Sequence, residues 1–346
     1  MLLYFTRRPG GSVQPTTRKG LVLVGWTFKG DLLAGIKRTF WFISYIILTT
    51  LLLLVVMELS VRAIFPQINY QGNQASLFVE NRFNQTMGLA PNSSGEAFGK
   101  EVHIDKYGFR KMNTPTIYDK SWLLLGDSVT FGVGIDTELI FPQLIQNQIR
   151  NVKIWNTAVM GYSALNYLDV IEDFLRERND IEKVVLFFCL NDVYGNFSLN
   201  STGASAKDNV LSFLRANSKL FLLIKKIFFD RSKAYALYDI GLYKDDNQDL
   251  DNHLNAIVKI KAALDKSIID FLVVILPYEY QLRVEGLKAP QALLNSFLAK
   301  HNIETLDLYE DFSSFNSEDY YLYGDPMHLS YVGHAIVANK TLEILR

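Results

Sequence analysis

Short apolar runs alternate with segments of helical period from about residue 118 to the end of the chain. The apolar runs have the length and composition of strands, and they occupy 122–126, 152–159, 184–190, 271–277 and 303–308. The helical segments occupy 138–150, 163–178, 254–267, 290–302 and 326–345. Strands that are apolar on both faces and alternate with helices indicate a parallel sheet covered on both sides. The pattern therefore predicts an α/β fold.

Polar residues follow two of the predicted strands at the point where each strand ends. Gly126-Asp127-Ser128 closes the first apolar run, and Asn191-Asp192 follows the third. In open parallel sheets, reactive groups gather beyond the carboxyl ends of the strands. This placement favours chemistry at Ser128 over a surface turn that happens to contain the same residues.

An uncharged apolar segment lies upstream of the predicted sheet. It spans the nineteen residues 39–57, bounded by Arg38 and Glu58. As a helix, a segment of this length comes close to crossing the roughly 30 Å of a hydrocarbon core. A cleaved signal peptide would have a shorter apolar region nearer the start of the chain. We therefore expect a transmembrane anchor over 39–58.

The charges before this segment predict its orientation. Residues 1–38 form a basic segment with seven Lys and Arg and a single acid, Asp31. Because an excess of Lys and Arg stays in the cytoplasm, we expect 1–38 inside and the chain after about residue 60 outside. The expected protein is a single-pass membrane protein with an extracytoplasmic catalytic domain, periplasmic or at the cell surface.

Two regions lack the alternating pattern. Residues 59–117 are rich in Asn, Gly, Pro and Ser and are predicted to form a loop-rich lead-in to a domain over 118–346. Residues 195–250 form an insertion that is longer than a crossover needs. Within it we predict a helix over 210–229 that caps the sheet, or alternatively lies on the membrane surface. The acidic run 245–252 lacks the glycine and glutamate of a calcium loop and is interpreted as a helix start.

Composition and charge narrow the possible partners. The formal net charge of −1 offers no basic footprint for a nucleic acid. The single cysteine, Cys189, cannot form an intrachain disulfide and is interpreted as a small buried apolar residue. No group of His, Cys and carboxylate residues has the spacing of metal ligands, so we expect neither a metal nor another cofactor.

A serine hydroxyl becomes a strong nucleophile only when a base takes its proton, and the base needs an orienting partner. Among the five histidines, His328 stands out because Asp325 precedes it by three residues. An alternative interpretation makes Asp325 the N-cap of the last helix. We interpret His103, His253 and His301 as surface or packing residues.

A second serine competes with Ser128 for the role of nucleophile. Ser163 lies in "GYSAL", which begins like the Gly-x-Ser-x-Gly elbow of a different hydrolase fold. Leu165 occupies the final glycine position of that motif. We therefore interpret Ser163 as the N-cap of the helix that follows it.

Four short blocks occur in the order found in one hydrolase family. They are "LLLGDSVTFG", "NTAVMGYSALN", "LNDVYGN" and "DPMHLSYVGH". Over roughly 118–346 they resemble the SGNH (GDSL) hydrolase family, and "VHIDKYGFRKMN" is similar to what precedes this domain in membrane-anchored bacterial members. The resemblance implies a flavodoxin-like three-layer α/β/α sandwich with a five-stranded parallel sheet, here preceded by one transmembrane helix. It also implies a serine esterase or acylhydrolase, with acyltransferases among the relatives.

The resemblance further implies roles for individual residues. Ser128 is expected to be the nucleophile, His328 the general base and then the general acid, and Asp325 its orienting partner. The oxyanion hole is expected to contain the backbone N–H groups of Ser128 and Gly161 and the side-chain amide of Asn191. A glycine lets the backbone approach a developing oxyanion, and an amide donates without carrying charge.

Two positions depart from the family pattern. Ala158 stands in the second block where a glycine is usual, and Cys189 stands in the third block where the family commonly has glycine. Neither residue is an expected nucleophile or donor. The departures therefore concern the local shape of the pocket and not the mechanism.

Location and resemblance together predict the function. The first hypothesis is a membrane-anchored serine esterase that removes small acyl groups, O-acetyl in the favoured case, from cell-envelope carbohydrate. The second is an O-acyltransferase of a surface polysaccharide, because water and a sugar hydroxyl can attack the same acyl-enzyme. The third is an inactive scaffold of an envelope complex, against which the intact set Ser128, His328 and Asp325 argues. The expected partners are an acylated small-molecule or carbohydrate substrate, the membrane and the envelope polysaccharide machinery, with no nucleic acid.

Overall fold

A long N-terminal helix precedes the folded domain. The computed structural model describes residues 20–345 except 72–74, 84, 195–205, 245 and 313–315. The chain divides into two compact units between Ser60 and Val61. Helix α1 spans Gly20–Ile64 and contains a 30-residue stretch, Gly35–Ile64, with a mean hydropathy of 2.4 over its most apolar window and no burial there. In the described part of the chain it alone is long and apolar enough to cross a membrane. A signal sequence would meet the same criteria, so they do not define topology.

The second unit contains a five-stranded parallel sheet and two antiparallel hairpins. Its strands are β1 Phe78–Arg82, β2 Gln85–Leu89, β3 Ser94–Ala97, β4 Lys100–His103, β5 Lys120–Leu125, β6 Val152–Asn156, β7 Ile181–Phe188, β8 Asp270–Ile275 and β9 Glu304–Asp307. Strands β1 and β2 pair with each other, as do β3 and β4. The parallel sheet has the order β6-β5-β7-β8-β9, in which Leu124 pairs with Asn156 on one side and Val185 on the other. This order, 2-1-3-4-5 among the parallel strands, confirms the predicted flavodoxin-like α/β fold.

Helices cover both faces of this sheet. The helices of the second unit are α2 Ser128–Phe131, α3 Phe141–Gln148, α4 Ala164–Glu177, α5 Ala206–Asn217, α6 Lys219–Phe228, α7 Arg231–Ile240, α8 Gln248–Lys266, α9 Glu279–Arg283, α10 Ala289–Lys300, α11 Tyr309–Phe312 and α12 Tyr331–Leu345. The connection from β5 to β6 leads toward one edge of the sheet, whereas the later connections lead toward the other edge. Because crossovers are right-handed, α3 lies on one face and α4, α8 and α10 lie on the other. In agreement, α4 packs against α8 and α3 packs against α12, which completes the three layers.

The central strands are buried on both faces, as their composition requires. The side chains of 123–125 and 184–188 are all 0% exposed. Phe141 of α3 packs on Phe187 of β7 with 4.3 Å between the ring centroids. A slip of one residue in any strand would exchange its two faces. The register therefore fixes which residues leave the carboxyl ends of the strands.

The lead-in 59–117 contains both hairpins, which the sequence did not predict. Leu77, Leu89 and Val102 are fully buried in the main core. Strands β3 and β4 are four residues long and bury one side chain each. Such short strands leave no detectable period, so only tertiary packing distinguishes them from loops.

The described residues of the insertion contain three helices, α5, α6 and α7. The prediction of one helix over 210–229 is wrong, because the chain starts a new helix after Ser218. The Ser218 hydroxyl caps α6 by accepting a hydrogen bond from the Phe221 N–H at 3.0 Å. The acidic run does start a helix, since the Asn247 side chain caps α8 by accepting from the Asp249 N–H at 3.2 Å.

The insertion helices pack on different parts of the second unit. Leu220 and Leu222 of α6 form a cluster with Val61, in the last turn of α1, and with Ile68 after that helix. Helix α7 instead carries Ala236, 0% exposed, into the main core. Helix α7 is therefore the insertion helix that reaches the interior of the domain.

Candidate active site

A glycine turns the chain sharply at the end of strand β5. Strand β5 ends at Leu125, and a Cβ added at Gly126 would lie 2.0 Å from Thr130 Oγ1 and 3.1 Å from the Phe187 carbonyl oxygen. Real Cβ atoms do not approach other atoms so closely in a packed interior. Lack of space therefore requires glycine at this position.

The two residues after this glycine place a hydroxyl at the edge of the sheet. Asp127 caps the short helix α2, and its Oδ1 accepts a hydrogen bond from the Val129 N–H at 2.8 Å. Ser128 is the first residue of α2 and stays partly exposed, whereas Asp127 is 0% exposed. The turn thus presents the serine and buries the aspartate beside it.

Three side chains from distant parts of the sequence form a continuous hydrogen-bonded chain. Ser128 Oγ lies 2.8 Å from His328 Nε2, across a sequence separation of 200 residues. His328 Nδ1 lies 2.9 Å from Asp325 Oδ1. Phe98 packs edge-on against the His328 ring, with 5.1 Å between the ring centroids. The structure brings the three predicted catalytic side chains into hydrogen-bond distance.

The Asp325 carboxylate also organises the backbone of its own loop. Its Oδ1 accepts hydrogen bonds from the Met327 N–H at 3.1 Å and the His328 N–H at 2.9 Å. Helix α12 begins only at Tyr331, and the hydroxyl of Ser330 caps it. The alternative interpretation of Asp325 as the N-cap of this helix is therefore wrong.

Asp325 is fully buried and is held in its ionised form. Burial alone would raise the pKa of this carboxyl, but the charge and hydrogen bond of His328 and the charge of Arg231 lower it well below its usual range. Arg231 Nη1 lies 3.6 Å from Asp325 Oδ2. A permanent carboxylate beside the imidazole favours the His328 tautomer with its proton on Nδ1, leaving Nε2 free to accept from Ser128.

The loop after strand β6 lies against the nucleophile turn. The Val159 N–H donates a hydrogen bond to the Gly126 carbonyl oxygen at 3.3 Å. Gly161 has a φ of 84°, in the left-handed region that favours glycine. The Tyr162 N–H donates to the Val159 carbonyl oxygen at 3.1 Å and closes the turn around it. Gly161 therefore belongs to a loop that the strand register holds beside Ser128.

Asn191 follows strand β7, the neighbour of β5 at the point where the strand order reverses. Its Nδ2 donates to Asp127 Oδ2 at 3.0 Å, and its Oδ1 accepts from the Tyr278 hydroxyl at 3.1 Å. Since a carboxylate only accepts, Asp127 fixes which end of the amide faces it. The second hydrogen on Nδ2 remains for a ligand.

Another buried acid anchors the end of strand β7. Asp192 is 0% exposed and accepts hydrogen bonds from the Cys189 N–H at 2.9 Å and the Tyr167 hydroxyl at 2.8 Å. Burial, with the charge of Asp127, raises the pKa of Asp192 well above its usual range. Cys189 is 1% exposed, as predicted, and burial raises the pKa of its thiol. These groups fix the backbone that carries Asn191.

Two other candidates lie away from this chain of hydrogen bonds. Ser163 is 0% exposed, and its hydroxyl donates to Asn166 Oδ1 at 3.0 Å at the start of α4, as the helix-start interpretation predicts. His334 Nδ1 accepts from the Phe141 N–H at 3.1 Å. Burial, with the charges of Arg110 and His328, lowers the pKa of His334 to about 3. The His334 ring is thus a neutral packing group.

Sequence reasoning missed a buried arginine in the lead-in. Arg110 is 2% exposed and donates to the carbonyl oxygens of Phe131 at 2.8 Å, Gly132 at 2.6 Å and Ile135 at 2.7 Å. Burial lowers the pKa of Arg110 to about 10, against the opposing charges of nearby acids. Arg110 therefore clamps the segment that follows Ser128.

Three further residues beside the site were also missed. Tyr278 follows strand β8, so applying the strand-end rule to the fourth predicted strand would have found it. Arg231 and Asp239 lie in the insertion, where no motif or period marks them. Only the packing of α7 brings them next to the site.

Comparison with known proteins agrees with this fold. A family model described as GDSL-like lipase/acylhydrolase matches residues 124–336. A Mycoplasma pneumoniae protein, described only as uncharacterized, is 31% identical over 96 residues, which are 24% of this chain and 11% of that protein. The chain thus aligns with about a tenth of that relative's length.

Solved structures of low identity resemble the second unit. A lipase/acylhydrolase from Enterococcus faecalis is 15% identical, with a TM-score of 0.40, over 65% of this chain and 95% of that one. A variant of an acetyl xylan esterase from Geobacillus stearothermophilus is 12% identical, with a TM-score of 0.43, over 66% of this chain and 94% of that one. Such likenesses concern the fold, and no substrate is inferred from them.

The fold is of the flavodoxin-like α/β class, and the matching family consists of lipases and acylhydrolases, which act on ester bonds. Because the family model covers more than half of the sequence, this chain belongs to the GDSL-like lipase/acylhydrolase family.

Proposed function

We propose that this chain is a membrane-anchored serine esterase that hydrolyses small acyl esters, of the O-acetyl type, on cell-envelope carbohydrate. The observation that carries the proposal is the continuous contact from Ser128 Oγ to His328 Nε2 at 2.8 Å and from His328 Nδ1 to Asp325 Oδ1 at 2.9 Å. Both distances are those of good hydrogen bonds. A hydroxyl, an imidazole and a carboxylate in this order form a catalytic triad. The imidazole takes the proton of the hydroxyl as it attacks an acyl group, and the carboxylate stabilises the resulting imidazolium.

The first half of the reaction forms an acyl-enzyme. His328 Nε2 takes the proton of Ser128 Oγ as the oxygen attacks the ester carbonyl carbon. Asp325 stabilises the imidazolium that results. His328 then gives the proton to the leaving alkoxide, and the carbon–oxygen bond to the alcohol breaks.

The second half of the reaction releases the acid. Water, deprotonated by His328, attacks the acyl carbon, and Ser128 leaves with the proton returned by the same imidazole. Both tetrahedral intermediates carry an oxyanion. Its proposed donors are the N–H groups of Ser128 and Gly161 and the second Nδ2 hydrogen of Asn191, since donors fixed before the charge develops stabilise it most.

The proposed location rests on the helix of the first unit. The most apolar window of Gly35–Ile64 is exposed, and seven Lys and Arg against one acid precede the uncharged segment. By the positive-inside rule we expect this charge to keep the N-terminus in the cytoplasm, with the esterase domain outside. Cell-envelope carbohydrate is one class of ester-bearing material that such a domain would meet.

A large cleft with both apolar and polar walls lies beside the loop that carries His328, although none of the three triad residues lines it. The cleft has a volume of about 1150 Å³, and its walls include Tyr331, Asp319 and Leu322. Leu322 packs in one cluster with Ile135 and with Phe98, the ring that lies on His328. A volume of this size has room for a sugar residue that bears the ester.

A single comparison tests the reaction. The full chain, purified in detergent, is assayed for hydrolysis of p-nitrophenyl acetate beside Ser128→Ala, with Ser163→Ala as the matched control. We expect Ser128→Ala to lose nearly all activity and Ser163→Ala to keep it. Equal rates for Ser128→Ala and the unchanged chain would overturn the proposal.

Two further measurements test the finer parts. Partition of a labelled acetyl group between water and an added glycan separates hydrolysis from acyl transfer, and we expect acetate as the product. Extraction of membranes with alkaline carbonate tests the anchor. We expect the full-length chain to stay with the membrane, whereas a released chain of reduced length would indicate a cleaved signal sequence.

A further inference from the structure

Helix α7 of the insertion touches the site at its N-terminal end. Arg231 Nη1 lies 3.6 Å from Asp325 Oδ2, and the Ser232 hydroxyl donates to the Asp325 carbonyl oxygen at 3.3 Å. Asp325 Oδ2 is buried and has no hydrogen bond, because His328 and the loop N–H groups all use Oδ1. The Arg231 charge is therefore what compensates the second carboxylate oxygen.

The same helix touches the other side of the site near its C-terminal end. Asp239 is 0% exposed, and its Oδ2 lies 2.7 Å from the hydroxyl of Tyr278. That hydroxyl lies 3.1 Å from Oδ1 of Asn191, whose amide is a proposed oxyanion donor. Eight residues thus separate the two contacts of α7 with the proposed machinery.

The Tyr278 hydroxyl links Asp239 to Asn191. The Asn191 Oδ1 only accepts, because Asp127 holds the Nδ2 end of the amide. Tyr278 Oη has one hydrogen for two acceptors, Asp239 Oδ2 and Asn191 Oδ1, and the shorter contact is to Asp239. Asp239 therefore fixes the position of this hydroxyl and, with it, the contact of Tyr278 with the amide.

We propose that α7 is a positioning element of the active site, with Arg231 holding Asp325 and with Asp239 holding the Asn191 amide through Tyr278. The inference rests on the proposed triad and oxyanion hole. The insertion thereby has a role in the reaction, because α7 fixes both Asp325, which orients His328, and Asn191, a proposed donor to the oxyanion. Neither Arg231 nor Asp239 is a catalytic residue, since both act through other side chains.

The Asp239 end is tested with the full chain in detergent and p-nitrophenyl acetate as substrate. We expect Tyr278→Phe and Asp239→Leu each to lower kcat about 10- to 50-fold, less than the roughly 10²–10³ for loss of an oxyanion donor itself. KM should stay within about twofold, because the oxyanion exists only in the transition state. The double variant should be no worse than either single one, because the two residues act through one chain of hydrogen bonds. Asp239→Asn, whose amide can still form a hydrogen bond with the Tyr278 hydroxyl, should keep kcat within about threefold of the unchanged chain.

The Arg231 end is tested by the pH–rate profile. We expect Arg231→Gln to lower kcat about tenfold and to move the acidic limb of the profile to higher pH, because a cation beside Asp325 opposes protonation of the adjacent imidazole. Arg231→Lys should restore most of both effects. Loss of packing alone would not move the limb.

Other titratable groups lie near Asp325 and His328 and stay unchanged in these variants. Lys225 of α6 acts on Asp325, and burial, with the charges of Arg231 and Arg215, lowers the pKa of Lys225 to about 8. Glu279 of α9 is paired with Arg283 at 2.8 Å. His334 acts on His328 from α12 as a neutral ring.

The outcomes separate this role from the proposed function. If Ser128→Ala is inactive while folded Tyr278→Phe keeps full kcat, or if the two losses at 239 and 278 add, the role of Asp239 is overturned. An acidic limb unmoved in Arg231→Gln would overturn the role of Arg231. If Asp239→Leu does not fold, two other kcat values test the role of Asp239. We expect kcat to fall in Tyr278→Phe and to be retained in Asp239→Asn. Failure of the proposed function would instead appear as a Ser128→Ala variant with the rate of the unchanged chain.

Discussion

The two halves of the candidate site are held by different kinds of structure. The nucleophile half, which consists of Gly126–Ser128, Gly161 and Asn191, follows the ends of three adjacent strands. The base half, Asp325–His328, lies in a loop between α11 and α12 and depends on contacts from Phe98 and α7. Strand register positions the first half, whereas side chains from distant segments position the second.

This difference shows how far the local sequence can specify a site. Each polar group of the nucleophile half is within a few residues of an apolar strand, so the pairing of β5, β6 and β7 brings these groups together. The loop of the base half has its own local order, since Asp325 accepts from two N–H groups within it. Its approach to Ser128 depends on residues more than two hundred positions away, such as Phe98.

The largest expected effect tests whether the two halves act as one unit. Ser128→Ala and His328→Ala should each lower kcat about 10⁴- to 10⁶-fold, because the nucleophile is useless without its base. The double variant should lose no more than either single variant. Initial rates on p-nitrophenyl acetate measure this, and multiplicative losses would mean that the halves work independently.

Removal of the oxyanion amide should have the next largest effect and should stay within the nucleophile half. We expect Asn191→Ala to lower kcat about 10²- to 10³-fold with little change in KM, because the amide binds only the developing charge. Asn295→Ala is the matched control, since the Asn295 amide likewise donates to a carboxylate, Asp307 Oδ2 at 2.9 Å. A control with the same loss would refute a specific role for Asn191.

A methyl group at the nucleophile turn should test the rigidity of the strand end. Gly126→Ala places a Cβ 2.0 Å from Thr130 Oγ1 and 2.6 Å from Thr130 Cβ. We expect the free energy of unfolding in urea to fall by about 3 kcal/mol, the upper range for overpacking. Adding Thr130→Ala removes only the first clash and should recover part of the loss. Complete recovery would mean that the backbone turn yields more easily than its packing indicates.

The smallest effect concerns the helix behind the base half. The pKa of His334 is lowered to about 3 in the folded chain. Between about pH 3 and about pH 6.5 the unfolded chain therefore binds one more proton than the folded chain. The stability of the folded state should therefore fall as pH falls through this window, with a contribution of at most about 1.4 kcal/mol per pH unit.

The slope of stability against pH in His334→Gln checks this contribution. Urea unfolding between pH 6 and pH 4 should give a flatter slope for His334→Gln than for the unchanged chain. His103→Gln, at an exposed position, provides the control for the loss of a histidine. An equal slope in His334→Gln would show that the His334 ring takes up its proton in the folded state.

Much of the fold was predictable from the sequence because the parallel strands are apolar on both faces. The five predicted strands match β5–β9 within a few residues. The sequence of a strand does not indicate its position in the sheet, so the order of the strands was expected from the family resemblance alone. The hairpins of the lead-in escaped prediction because β3 and β4 bury one side chain each, too few for a period.

The site divides in the same way. The motif positions Ser128, Asp325 and His328 lie in one hydrogen-bonded chain, and their catalytic roles stay predictions. Arg110, Arg231 and Asp239 were not predictable, because each reaches the site through contacts between segments far apart in the sequence. A buried charge is recognisable only once its partners are placed around it.

The Arg110 clamp bears on where the enzyme can be cut. The family match begins at residue 124, after Arg110 and after both hairpins. A fragment that starts there would leave the carbonyl oxygens of Phe131, Gly132 and Ile135 without their donor and would strip the core of Leu77, Leu89 and Val102. Excision along the boundary of recognisable homology would thus yield a truncated protein with a loosened turn at Ser128, whereas a fragment that begins near residue 61, where the second compact unit starts, would keep both the donor and the core residues.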